Sequence, residues 1–204
     1  NFIEDISVLN KLGLSIVVVH GGGPRIERKL KEENIQTKFI NGLRVTDEKV
    51  ISIVEDVLID FNKDIVDSLK KKGSQAISIT SKLNNIINVV PDNKELGFVG
   101  IPDNINIEFL KDAINKKQIP VIAPLGVDKN KNTYNINGDT AASAIAKKLK
   151  SRRLLLMTDI EGVLDKDKQL ISEITPDMAR KMIDEDIIKG GMIPKINTCI
   201  EAIH

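Results

Sequence analysis

Two rhythms of apolar and polar positions alternate along the chain. Ser15 to His20 (SIVVVH) is an unbroken, β-branched run, which predicts a parallel strand buried on both faces. It runs into Gly21-Gly22-Gly23-Pro24 and then an amphipathic segment from Arg25 to Glu33. Pro24 suits the first turn of a helix, where its missing N–H leaves no bond unmade. Lys38 to Val45 reads as a hairpin turning at Asn41-Gly42. From about Asp47, Val50, Ile53, Val54, Val57 and Leu58 share one face of a helix capped by Thr46. A second helix runs to Lys72 and stops at Gly73.

The alternation continues to the end. Gln75 to Thr80 predicts a strand, and residues 81–100 a β-rich excursion turning at Pro91-Asp92-Asn93. A helix over Ile107 to Lys117 leads into a strand over Pro120 to Ala123. Tyr134 to Gly138 precedes an alanine-rich helix, Asp139 to Lys150. Arg153 to Thr158 reads as a third short buried strand, Leu164 to Leu170 as a hairpin, and helices start near Pro176 and at Pro194. Repeated strand–crossover–strand units imply an α/β fold with a mainly parallel sheet covered on both faces. No linker separates independent domains, and no solenoid-length repeat is visible.

Composition narrows the picture. The 204 residues are 41% apolar but only 3% aromatic, so the core must be Ile, Val and Leu. Charged residues reach 29%, yet the net charge is +1, which gives no electrostatic case for nucleic acid or a membrane surface. Lys70, Lys71 and Lys72 read as a solvated helix end. The single cysteine, Cys199, excludes an internal disulfide and fits a reducing compartment. Two histidines and one cysteine, far apart in sequence, give no zinc-site spacing. No apolar run approaches the ~20 residues that span a bilayer. No signal peptide is visible, and the chain opens without Met in a helix-like pattern. Frequent Lys, Asn and Ile point to an AT-rich genome, bacterial or organellar.

Two segments carry candidate chemistry. At Gly21-Gly22-Gly23-Pro24 and at Gly190-Gly191-Met192-Ile193-Pro194-Lys195, glycines precede a Pro-started helix. Glycine lets backbone approach a ligand closely, and a helix N-terminus offers unpaired N–H groups. Lys195 adds a positive charge in a first turn, where the helix dipole disfavours one, and so calls for an anionic partner such as phosphate. Read alone, each cluster is also what a tight turn looks like, and Asp139 what a helix N-cap looks like. No G-x-x-x-x-G-K-[ST], no G-x-S-x-G and no G-x-G-x-x-G occurs, which excludes a P-loop enzyme, an esterase elbow and a dinucleotide fingerprint.

Taken together, VVVHGGGP (Val17 to Pro24), NGLRVT (Asn41 to Thr46), LGFVG (Leu96 to Gly100), IPVIAPLG (Ile119 to Gly126), YNINGDTAA (Tyr134 to Ala142), TDIEGVL (Thr158 to Leu164) and GGMIPK (Gly190 to Lys195) resemble the amino-acid kinase family, in its order and approximate spacing. NGLRVT and YNIN point to its acetylglutamate kinase branch. The resemblance covers essentially the whole chain. It implies a three-layer αβα sandwich of the carbamate kinase-like type. It also implies an internal stretch of one incomplete kinase domain, with an acceptor lobe over about 1–150 and the start of an ATP lobe over about 151–204. The family's first strand, with a lysine and a glycine pair, and its last strands would lie outside this stretch, so the stretch alone is expected to be inactive.

By the same resemblance, Gly22 and Gly23 bind acetylglutamate and the transferring phosphoryl through their N–H groups. Arg44 holds the substrate α-carboxylate, a match for its guanidinium fork, and Asn135 is a second substrate contact. Lys195 neutralises the phosphoryl, Asp139 orients the catalytic lysines, and Thr158 and Asp159 fall in the nucleotide segment. ATP with Mg2+ on its phosphates is implied, with no protein-bound metal. So are a cytoplasmic or plastid-stroma location and a homo-oligomer, dimer or hexamer; some members are inhibited by arginine and bound by the PII signalling protein. Two alternatives remain: an amino-acid kinase with another acceptor, and a non-catalytic arginine-sensing or partner-binding protein on the same fold. NGLRVT and YNIN argue against the first, Lys195 and Asp139 against the second.

Overall fold

The computed structural model describes residues 1–157, 162–189 and 192–203. The chain forms two compact units, residues 1–141 and 142–204, and the division falls inside a helix.

In the first unit, helix α1 (Phe2–Lys11) is followed by strand β1 (Val18–Val19), the ladder-paired part of the SIVVVH run. Helix α2 (Gly23–Glu32) starts at the glycines, with Pro24 in its first turn. Strands β2 (Phe39–Ile40) and β3 (Leu43–Arg44) form the expected hairpin. Asn41 and Gly42 sit at φ 50° and 80°, the left-handed pair that a two-residue turn demands.

Helix α3 (Glu48–Lys71) is one continuous helix, where the sequence pattern suggested two. Its Asn62 is fully buried on the apolar face and is satisfied by partners outside the helix, so no break is needed there. Asp47, rather than Thr46, caps α3 by accepting from Val50 N–H at 2.9 Å. Thr46 instead turns its hydroxyl to the Arg44 carbonyl.

Strands β4 (Ala76–Ile79), β5 (Ile87–Pro91) and β6 (Gly100–Ile105) follow, then helix α4 (Ile107–Asn115). Strands β7 (Ile119–Ile122), β8 (Leu125–Val127) and β9 (Thr133–Asn135) lead into helix α5 (Gly138–Leu149). Among the described residues, β1, β7 and β4 form a parallel sheet in that order, and β6, β5, β8 and β9 a second sheet. Helices lie on both sides of the parallel sheet: α3 packs on β4 and β7, and α4 on β7. The central strand β7 (IPVI) is buried at every residue, as an apolar strand covered on both faces must be. The α/β expectation therefore holds. The core is aliphatic, as the scarcity of aromatics requires: Ile65, Val66, Leu69, Ile119 and Val121 pack together, and Leu30, Val54, Leu58 and Leu125 form a second cluster.

In the second unit, residues 153–157 form no strand, against expectation. Leu155 and Met157 are 74% and 73% exposed. Arg-Leu-Leu-Leu-Met holds no β-branched residue, so it lacks the stiffness that favours an extended chain without a ladder partner. Leu164 and Leu170 bridge antiparallel, as the hairpin pattern implied. Helix α6 (Pro176–Asp184) is capped by Thr175, and helix α7 (Met192–Ile203) begins two residues before Pro194.

Candidate functional site

Strand β1 delivers the chain into Gly21, Gly22 and Gly23 at the start of α2. Gly22 is explained by packing, since a Cβ there would lie 2.5 Å from Leu58 Cδ2. Gly21 and Gly23 are not: a Cβ on either meets nothing within 4 Å, and neither has a positive φ. Among the described residues, no acceptor meets the N–H groups of Gly22 and Gly23. The first turn of α2 has no acidic side chain to offset its positive dipole end. An anion is the natural complement of such a cradle.

His20 stands behind the loop, 6% exposed. Its Nδ1 lies 2.7 Å from the Gly21 carbonyl, and its Nε2 lies 3.1 Å from Nδ2 of Asn62. Nδ2 of Asn62 also donates to the Val121 carbonyl at 2.9 Å, while its Oδ1 accepts from Ser78 Oγ. Burial pushes the His20 pKa below its ordinary value; the Gly21 bond opposes this and the charge of Arg25 adds to it. Arg25 stacks over Phe61 at 3.9 Å and pairs with Asp64 at 2.6 Å. The motif reading left His20 without a role; the visible clue was a polar Asn62 on the apolar face of α3.

Arg44, on β3, is buried, with its side chain 8% exposed. Its Nη1 donates to Glu27 at 2.9 Å and to Thr37 at 3.1 Å, and its guanidinium sits 4.7 Å from the centre of the Phe39 ring. The bond from Arg44 holds the Glu27 carboxyl below its usual range. Among the described residues, no acceptor meets Nε or Nη2 of Arg44, so the guanidinium keeps donors for a second carboxylate.

Thr46, two residues beyond Arg44, and Asn135 are tied together through Phe98. The Phe98 N–H donates to the Thr46 carbonyl at 2.7 Å, and the Phe98 carbonyl accepts from the Asn135 N–H at 2.9 Å. Gly97 makes this possible. It sits at φ +69°, and a Cβ there would strike the Thr46 carbonyl. Behind β9, Glu55 accepts from Ser81 and Thr133 and pairs with Lys82. Burial works against its charge, but these bonds outweigh it and hold the carboxyl below its ordinary pKa.

Asp139 lies in the first turn of α5, but Asn137 supplies the cap, accepting from the Thr140 N–H at 3.1 Å. Gly138 approaches the glycine loop, so that a Cβ there would lie 3.8 Å from Gly21 Cα. In the second unit, Lys195 is half-buried in the first turn of α7, and α5 and α7 are joined by Ser143 Oγ donating to the Thr198 carbonyl. Thr158, Asp159, Gly190 and Gly191 lie outside the described residues.

Exposed backbone donors at a helix start, with a buried guanidinium in the same unit, equip an α/β protein to grip small anions. This chain belongs to the amino acid kinase family, whose model matches residues 1–204. It is similar to the acetylglutamate kinase of Pelagibacter ubique (strain HTCC1062), at 58% identity over 200 residues, covering 98% of this chain and 69% of that protein. The acetylglutamate kinase of Clostridioides difficile (strain 630) is 44% identical over 207 residues, covering 99% of this chain and 72% of its own. Among solved structures, smu.665 from Streptococcus mutans UA159 superposes with a TM-score of 0.91 at 32% identity, over 98% of this chain and 82% of that one. The resemblance carried by the motifs is thus borne out.

Proposed function

We propose that the protein to which this chain belongs transfers the terminal phosphoryl group of ATP to the γ-carboxylate of N-acetyl-L-glutamate, giving N-acetyl-L-glutamyl 5-phosphate, a step of arginine biosynthesis. The observation that carries the reading is the pair of N–H groups at Gly22 and Gly23 that meet no acceptor among the described residues, beside a Gly23 that the fold itself does not require. The relatives named acetylglutamate kinase supply the acceptor's identity.

A glutamate-type carboxyl has a pKa of about 4.3 and is already ionised at neutral pH. No general base is needed. The obstacle is repulsion between two anions, so the work is positioning and charge neutralisation. In this reading, Arg44 and Asn135 hold the amino-acid end of the acceptor, and Gly22 and Gly23 hold the phosphoryl oxygens. Lys195 adds a full positive charge, Asp139 orients it, and Thr158 and Asp159 serve the nucleotide. Residues 1–150 form the acceptor lobe and 151–204 begin the nucleotide lobe. Among the described residues, no three His, Cys, Asp or Glu side chains cluster as a metal cage. A magnesium ion carried on the ATP phosphates would supply charge neutralisation there. The protein would act in the cytoplasm as a homo-oligomer, with a dimer as the smallest form. Among the described residues, no helix is long and apolar enough to cross a membrane.

ADP release by the full-length protein, measured with N-acetyl-L-glutamate and with free L-glutamate, tests the proposal. Acetylglutamate should be preferred by about 100-fold or more in kcat/KM, since a site built around the acyl group leaves polar groups unpaired without it. Equal turnover of both would refute the acceptor.

A further inference from the structure

We infer that His20, held by Asn62 and Ser78, is a positioning residue that presets the Gly21–Gly22 peptide so that the Gly22 N–H faces the transferring phosphoryl group. This rests on the proposed kinase reading of the loop.

The hydrogen bonds settle the direction of the relay. Asn62 must turn its amide nitrogen toward the Val121 carbonyl, which can only accept, and its oxygen toward Ser78 Oγ. The second hydrogen of Nδ2 then points at Nε2 of His20, 3.1 Å away, so Nε2 must be the unprotonated nitrogen. The ring proton therefore sits on Nδ1 and donates to the Gly21 carbonyl at 2.7 Å. That carbonyl and the Gly22 N–H belong to one planar trans peptide and point in opposite directions. Anchoring the carbonyl on the ring therefore aims the Gly22 N–H away from His20. A glycine-rich loop would otherwise sample other peptide orientations, because glycine imposes little restriction. Phe61 packs edge-on to the ring at 5.1 Å, and β4, β7 and α3 supply the remaining partners, so the device is rooted in the core of the first unit.

The test uses the full-length protein. Ring 15N NMR of His20 should show a protonated Nδ1 and a bare Nε2 at neutral pH; a protonated Nε2 would overturn the relay without any mutation. In kinetics, His20→Phe keeps the ring but has no donor, and should lower kcat about 10–100-fold with the KM for acetylglutamate within about 3-fold. His20→Asn places an amide nitrogen one bond from Cγ, where Nδ1 stands, and should recover most of that loss. His20→Gln carries its nitrogen one atom further out and should not. Equal kcat in all three variants and the wild type would overturn the inference. Failure of the kinase reading looks different: the unmutated protein would show no acetylglutamate-dependent ADP release.

Discussion

The segment from Leu96 to Gly100 and the segment from Gly21 to Gly23 are both glycine-marked, and both lie in the first unit, but their glycines answer to different demands. Gly97 has a positive φ and abuts the Thr46 carbonyl. At Gly100 a Cβ would lie 2.9 Å from Val89 Cβ and 3.0 Å from Tyr134 Cβ. The fold alone requires both. Gly22 is likewise fixed by Leu58, whereas Gly21 and Gly23 face open space in an ordinary backbone conformation. Where packing does not ask for glycine, close approach of a ligand is the physical reason that remains. Stability and activity should therefore separate between the two segments.

The largest effect falls on catalysis. Gly23→Ala should cut kcat/KM by about 100-fold or more while leaving thermal stability unchanged or slightly raised, because alanine suits a helix start that has room for it. Parallel loss of stability would erase the distinction between the segments. Lys195→Ala should lower kcat by a comparable factor with less effect on acetylglutamate binding; a raised KM at unchanged kcat would remove Lys195 from the phosphoryl. On the other side, Gly97→Ala should cost about 2–4 kcal/mol in denaturant unfolding, from a left-handed backbone and a clash with Thr46. A loss below about 0.5 kcal/mol would show that the Leu96–Gly100 segment yields easily.

Smaller effects sharpen the same contrast. His20 has a lowered pKa in the folded state, so the unfolded chain binds its proton more readily. The stability due to neutral His20 is then complete above its ordinary pKa of 6.5 and is lost as the pH falls through the lowered folded value. Urea unfolding at about pH 7.5 and about pH 5.5 should show this decline, and His20→Asn should flatten it. An unchanged slope in the variant would assign the decline to other groups. Last, Gly138→Ala should stabilise by about 0.5–1 kcal/mol, since its Cβ would make only an ordinary 3.8 Å contact with the loop. Destabilisation would mean that the loop is packed more tightly against α5 than that distance allows.

Much of this architecture is legible in local chemistry. Asn41-Gly42 forces its turn, Pro24 and Pro176 open helices, and the apolar run of β7 can only be a buried strand. What escaped depends on partners distant in sequence. Asn62 sits on the apolar face of the single helix α3 because Val121, Ser78 and His20 are brought around it. Asn137 caps α5, where the sequence pattern pointed to Asp139. Arg153 to Thr158 reads as a strand from hydrophobicity, and over residues 153–157 hydrophobicity does not make a ladder. At the candidate site, the motifs mark Arg44 and Asn135, but the Phe98 link from Thr46 to Asn135 and the Glu27 carboxylate on Arg44 emerge only from the fold.

The most direct measurement is amide NMR of the full-length protein titrated to saturation with N-acetyl-L-glutamate and a non-transferable ATP analogue. The Gly22 and Gly23 N–H signals should shift strongly while that of Gly100, enclosed by Val89 and Tyr134, stays in place. Unmoved Gly22 and Gly23 signals at saturation would contradict the account.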